Sequence, residues 1–139
     1  MNDIIVGVDQ SDTARVAART AAELARSCGT NLHIVMCVQR GSSQEFAVGG
    51  DRWRLDSLSK AETYLSDLRR TLPHELITST VAFGSPATTM CEEARRLDAR
   101  MIVVGNRRVQ GASRILGSIA ADVTKQASCD VLIANTTAP

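Results

Sequence analysis

The sequence has few aromatic side chains and no excess of either charge. Phe, Trp and Tyr together make up 3% of the 139 residues, and 16 basic side chains stand against 15 acidic ones. Proteins that bind nucleic acid or membrane surfaces through general electrostatics carry a clear basic excess. The near-neutral balance therefore argues against both kinds of partner and requires any cationic site to be local.

The cysteines and the apolar runs exclude further classes. The four cysteines are scattered, with no closely spaced pair of the kind that zinc sites and thiol redox motifs use. No apolar run approaches the ~20 residues of a membrane span, and the first residues lack the pattern of a secretory signal. We therefore expect a cytoplasmic protein without a metal-ligand set. Its 139 residues suit one domain.

Short apolar runs alternate with helical patterns along the chain. Apolar and β-branched runs predict strands at 3–8, 31–38, 76–83, 101–104 and 130–134. Helical spacing and capping residues predict helices at 14–27, at 52–72, from Ser85 onward and at 118–128. Such alternation is typical of a parallel sheet with helices on both faces. We predict a doubly wound α/β fold, a five-stranded parallel sheet of order 3-2-1-4-5.

One stretch fits neither pattern. Residues 39–51 contain three glycines and two serines and have no helical or strand period. Loops of this length in compact domains are either mobile surface segments or lids over a binding site. Both interpretations stay open at this point.

Glycines and arginines concentrate between the fourth strand and the last helix, in the segment GNRRVQGASRILGS, residues 105–118. Glycine lets backbone N–H groups approach a ligand closely, and the pair Gly117–Ser118 stands where a helix N-terminus favours an anion. The spacing matches neither a P-loop nor the dinucleotide fingerprint. In open sheets, ligands bind beyond the carboxyl ends of the strands where the order reverses, so Asp9 and Gly105 should meet there.

Three long segments resemble the universal stress protein family, in order and over nearly the whole chain. They are VGVDQSDTARVAARTAAELA, FGSPATTMCEEARRLDARMIVVGNR and GASRILGSIAADVTKQASCDVLIA. The resemblance implies a single domain over residues 1–139, of the adenine-nucleotide alpha-hydrolase-like kind and often a homodimer through its last strand. ATP-binding members of that family carry the motif G-x2-G-x8or9-G-[S/T] after strand 4.

Carried over to this sequence, the resemblance implies a nucleotide site. Asp9 would face the adenosine end, Val38 would contact the adenine, and Gly105, Gly117 and Ser118 would hold ribose and phosphates. The full set of expected nucleotide-binding residues is Val8, Asp9, Val38, Gly105, Arg107, Arg108, Gly111, Gly117, Ser118 and Ile119. Simpler alternatives are a turn or cap role for Asp9, a core position for Val38 and a helix cap at Ser118.

The sequence departs from the family motif at one position. Arg108 stands where the second glycine of the motif belongs, and eight residues separate it from Gly117. If that glycine needs a positive φ or lets the backbone touch phosphate, arginine costs about 1 kcal/mol or blocks the approach. Alternatively, the guanidinium replaces the lost N–H contacts with a charge-assisted one.

The resemblance implies a regulatory module of the stress response that binds ATP, with or without Mg²⁺. The alternative is a stress-response dimer that binds no nucleotide and acts as an interaction scaffold, which Arg108 favours and Gly117–Ser118 opposes. Related hydrolases place a Ser-Gly-Gly-x-Asp-Ser loop after strand 1, and this chain has Val8-Asp9-Gln10-Ser11 there. His33 and His74 are expected to be structural or exposed, so we expect at most a slow ATPase.

Overall fold

The computed structural model describes residues 2–38, 50–106 and 117–136, and within 50–53 it describes the backbone alone. The described residues form five strands and four helices in strict alternation. They are β1 (Ile4–Val8), α1 (Asp12–Cys28), β2 (Leu32–Val38), α2 (Gly50–Thr71), β3 (Ile77–Phe83), α3 (Pro86–Arg96), β4 (Met101–Asn106), α4 (Ser118–Gln126) and β5 (Asp130–Asn135). The predicted order of elements is confirmed, and the predicted ends shift by one or two residues.

The sheet is parallel throughout, with strand order β3-β2-β1-β4-β5, as predicted. In its register Val6 of the central strand lies opposite Ile34 on β2 and Val103 on β4. These inner strands read as continuous apolar runs because both of their faces are covered. The order reverses between β1 and β4, and an open crevice is expected at their carboxyl ends.

The helices cover the sheet on both faces and create two hydrophobic clusters. On one face, α1 and α2 pack against the strands, and α1 contributes six buried alanines whose small side chains let the helix lie close to the sheet. On the other face, α3 and α4 pack through residues such as Met90, Cys91, Ala120 and Val123. Gly29 ends α1 with a φ of 65°, the left-handed conformation that favours glycine.

Some predictions fall outside the described ranges. Residues 39–49, which hold most of the predicted loop, lie outside them, and so do Arg107, Arg108 and Gly111. The last two residues of the predicted loop, Gly50 and Asp51, belong to α2 instead. An acidic residue in a first turn favours a helix N-terminus, which accounts for this earlier start. No helix in the described ranges is long and apolar enough to span a bilayer.

Candidate functional site

A cleft of about 340 Å³ opens at the carboxyl ends of β1 and β4, where the strand order reverses. Its walls come from the ends of these strands and from the first turns of α1, α3 and α4. Six of the ten residues expected from the sequence line it: Val8, Asp9, Gly105, Gly117, Ser118 and Ile119. The fold therefore brings residues that are about 100 positions apart in the sequence to one concave surface.

Of the remaining four predicted residues, only Val38 is described, and it does not line the cleft. Val38, the last residue of β2, packs against the cluster that α1 and α2 form on the other face of the sheet. Its neighbour Cys37 lines the cleft instead, because successive strand residues point to opposite faces. Arg107, Arg108 and Gly111 lie outside the described residues.

The connection from β1 to α1 satisfies its own polar groups. The carboxylate of Asp9 accepts a hydrogen bond from the Ser11 N–H at 2.8 Å and another from the Ser11 hydroxyl. Ser11 is the N-cap of α1, and its side-chain oxygen accepts from the N–H of Ala14 at 3.2 Å. Asp9 and Ser11 thus bring acceptor oxygens to this wall, and Asp12 in the adjoining first turn adds negative charge nearby. The wall suits the hydrogen-bond donors of a ligand.

The start of α4 on the opposite wall has no such cap. Gly117 is the N-cap residue and has no side chain that could bond to the first turn, and that turn contains no acidic residue. The leading N–H groups of a helix need external partners and carry the positive end of its dipole. A β-carbon added at Gly117 would meet no described atom within 4 Å, so the described residues leave space beside this turn. A phosphate group fits both the charge and the space.

Gly105 has a packing role as well as a place in the cleft. A β-carbon here would lie 3.2 Å from the Thr136 side chain and 3.5 Å from the Thr13 carbonyl oxygen. The glycine therefore lets the first turn of α1 and the end of β5 approach β4. The Thr136 hydroxyl donates a hydrogen bond to the Asn106 carbonyl and so links the residue after β5 to the end of β4. The sequence pattern linked Gly105 only to ligand binding.

The third wall of the cleft is apolar and comes from residues that the motifs do not single out. Gly7, Val35, Cys37, Pro86 and Met90 form it. Burial raises the pKa of the Cys37 thiol, and a hydrogen bond from Thr89 acts in the opposite direction. The thiol therefore stays neutral near pH 7. Helical periodicity predicts that Met90 is buried, but no spacing predicts that it reaches the cleft.

The two histidines take structural roles. The His33 ring is buried and contacts the Thr78 hydroxyl at 2.7 Å and the Thr80 hydroxyl at 2.9 Å, linking β2 to β3. Desolvation lowers the pKa of His33. The His74 Nε2 donates to the Thr30 carbonyl at 2.8 Å. Neither lines the cleft, and within the described ranges no group of His, Cys, Asp and Glu could hold a metal ion.

Comparisons with known proteins agree with this arrangement. The profile of the universal stress protein family matches residues 1–135. A universal stress protein of Synechocystis is 23% identical over 146 residues, which cover 94% of this chain and 95% of that protein. A solved universal stress protein in complex with cAMP is 26% identical, with a TM-score of 0.67 and 98% of both chains covered.

A further solved structure is the universal stress protein from Archaeoglobus fulgidus in complex with dAMP. It is 26% identical, with a TM-score of 0.64, and the likeness covers 96% of this chain and 97% of that one. The parallel sheet of order 3-2-1-4-5, the cleft at its reversal point and the family match over almost the whole sequence lead to one conclusion. This chain belongs to the universal stress protein family.

Proposed function

We propose that the chain binds an adenine nucleotide in this cleft and acts as a nucleotide-responsive regulatory module. The observation that carries the proposal is the chemical contrast between the cleft walls. An apolar wall suits a base, the acceptor groups at Asp9 suit the donors of a nucleoside, and the uncapped start of α4 suits phosphate. A nucleotide carries these three kinds of group in one molecule.

The relatives support the same class of ligand. One universal stress protein similar to this chain was solved with cAMP and another with dAMP, each at 26% identity and over nearly the full length. Both ligands combine an adenine base with a single phosphate group. An adenine nucleotide is therefore the class that both the cleft chemistry and the relatives favour.

ATP, with or without Mg²⁺, is the particular ligand that we propose. The segment that leads into α4 contains Arg107, Arg108 and Arg114, and this local positive charge favours a ligand with several phosphates. Among the described residues, the cleft lining contains no histidine and only one carboxylate, that of Asp9. General acid–base catalysis needs such groups near the reacting phosphate. We therefore expect any hydrolysis of ATP to be slow.

The test is a calorimetric titration of the parent protein and of Arg108→Gly with ATP, in the presence and absence of Mg²⁺. Saturable binding by the parent supports the nucleotide module and makes Arg108 a tolerated or helpful contact. If the parent shows no binding and Arg108→Gly binds ATP, the result would favour the second function, a scaffold dimer that no longer binds nucleotide. If neither the parent nor Arg108→Gly binds ATP, AMP or dAMP, the proposed nucleotide binding would be overturned.

We also propose that two copies pair through β5. This strand lies at the edge of the sheet, and its residues Val131, Leu132 and Ile133 are only half-buried in the single chain. An apolar edge strand with open backbone groups favours pairing with another chain. Light scattering should give twice the chain mass of 14.9 kDa. A single-chain mass that persists as the protein is concentrated would contradict the pairing.

A further inference from the structure

One long side chain, that of Met90, belongs to the apolar wall of the cleft. This residue lies in the second turn of α3 and belongs to the cluster between α3, α4 and the sheet. It lines the cleft although only 3% of its surface is exposed. Met90 therefore presents a small part of an otherwise buried side chain to whatever the cleft contains.

Gly7 determines where this side chain lies. A β-carbon added to Gly7 would stand 2.2 Å from the Met90 sulfur and 2.9 Å from its terminal methyl carbon. No real β-carbon tolerates such contacts, so the thioether fills the space that the glycine leaves empty. Gly7 is two residues before Asp9 on the same strand end. The pairing thus fixes the thioether against the end of β1.

The surroundings of Met90 suit a flat apolar ring. Val35, Pro86 and the neutral thiol of Cys37 line the cleft together with Met90. Val35 and Cys37 belong to β2, whereas α4 packs against β4 and β5. A nucleotide with its phosphate at α4 would turn its base toward the apolar wall. A thioether makes favourable contacts with aromatic rings, mostly through the ring edge.

We infer that Met90, seated on Gly7, is the floor beneath the nucleotide base and a specificity-determining residue of the site. The inference rests on the proposed nucleotide binding. As a floor held in place above Gly7, the thioether would limit how large a substituent a purine can carry there. The parent protein should therefore accept adenine nucleotides and reject analogues with a bulky group on the exocyclic amine.

The first test observes Met90 directly in the parent protein. The chain has four methionines, so a sample with ¹³C-labelled methionine methyl groups gives few and separable NMR signals. Saturating AMP should shift the Met90 methyl signal by the ring current of the base. Met36 is the internal control because it is also buried near a strand end but packs on the opposite face of the sheet. Met90→Leu and Met36→Leu assign the two signals.

The second test enlarges the site. Met90→Ala should gain affinity for N6-benzyl-AMP by about tenfold relative to AMP, a size typical of opening a pocket by a few methylene groups. Met90→Leu is the matched control because it keeps the volume and should discriminate as the parent does. Circular dichroism reports whether each variant is folded. If Met90→Ala does not fold, the methyl shift in the parent still decides the inference.

The outcomes separate the inference from the function on which it rests. If AMP and ATP do not bind to the folded parent, the proposed nucleotide binding fails, and the role of Met90 fails with it. If AMP saturates the parent but the Met90 methyl signal shifts no more than that of Met36, the inference about the floor alone is overturned. Unchanged discrimination by folded Met90→Ala would likewise overturn it.

Discussion

Three helices begin beside the cleft, and two of them, α1 and α4, start in opposite ways. At α1, Ser11 caps the first turn with its side chain, Asp9 accepts two hydrogen bonds from Ser11, and Asp12 adds negative charge. At α4, Gly117 contributes no side chain, and the first turn contains no acidic residue. Both starts follow inner strands of the same sheet and stand at the same edge.

The contrast shows how one cleft can have hydrogen-bond acceptors on one wall and backbone donors on another. A helix start that is capped by its own chain is stable without a ligand, whereas an uncapped start leaves N–H groups for an external anion. The residue at the N-cap position determines whether a helix start is capped or uncapped. The comparison therefore predicts that exchanging this residue moves stability and phosphate binding in opposite directions.

The largest effect is expected for Gly117→Asp. A carboxylate at the N-cap would bond to the first turn of α4 and repel phosphate, so affinity for AMP should fall by a factor of about 30 to 100. Stability should rise by a few tenths of a kcal/mol, because aspartate is the better N-cap. Calorimetry and thermal unfolding measure the two changes.

The matched control for that substitution is Ser85→Asp. Ser85 is the N-cap of α3, has an extended backbone like Gly117 and also makes no side-chain cap bond. An aspartate there should stabilise α3 to a similar extent and weaken AMP binding much less. Equal losses of affinity in both variants would show that the effect is not local to α4.

His33 lies away from both helix starts and outside the cleft lining. Its protonation should therefore change the free energy of unfolding without acting directly on nucleotide binding. Because burial lowers the pKa of His33, the unfolded chain takes up its proton before the folded chain does. Stability should therefore be complete above the ordinary histidine pKa of about 6.5 and decrease as the pH falls below it. One proton limits the slope to about 1.4 kcal/mol per pH unit.

The groups that oppose or add to this shift come from two neighbouring elements. Glu93 on α3 and Asp3 before β1 raise the pKa of His33, and Arg96 on α3 lowers it further. Urea unfolding at a series of pH values measures the dependence. His33→Gln should flatten it. A dependence that survives in His33→Gln would assign it to another group.

A smaller loss is expected at the capped helix. Ser11→Ala removes the side-chain bond to the Ala14 N–H and should destabilise the fold by about 1 kcal/mol. Ser85→Ala is the control because Ser85 occupies the same position in α3 without a cap bond. Urea unfolding compares the two. Equal effects would mean that the Ser11 bond contributes nothing of its own.

The smallest effect is expected for Ser118→Ala. Its hydroxyl would add one hydrogen bond to the phosphate beside the backbone N–H groups, so AMP affinity should fall by a factor of about 3 to 10. Since the side chain is exposed, folding should be unaffected. A loss as large as that of Gly117→Asp would place the recognition in the side chain and not in the helix start.

Much of this arrangement was predictable from the sequence, for reasons that are local. β-branched runs and helical spacing predict the elements. Asp9 directly follows β1 and Gly117–Ser118 stands at the start of α4, so their places in the cleft follow from strand order. The contact between Gly7 and Met90 was not predictable, because it joins a strand to a distant helix. Val38 was expected to contact the adenine; the structure packs it against the cluster under α1 and α2 and places Cys37 in the cleft lining.

The most direct test of the contrast between the helix starts is the ratio of AMP affinity to adenosine affinity, measured in the parent and in Gly117→Asp. The two ligands differ only in the phosphate, so the ratio isolates its contribution. The uncapped start of α4 predicts that AMP binds the parent at least about tenfold more tightly than adenosine. In Gly117→Asp the ratio should fall to about one or below. Equal affinities in the parent, or a ratio that Gly117→Asp leaves unchanged, would contradict phosphate recognition by this helix start.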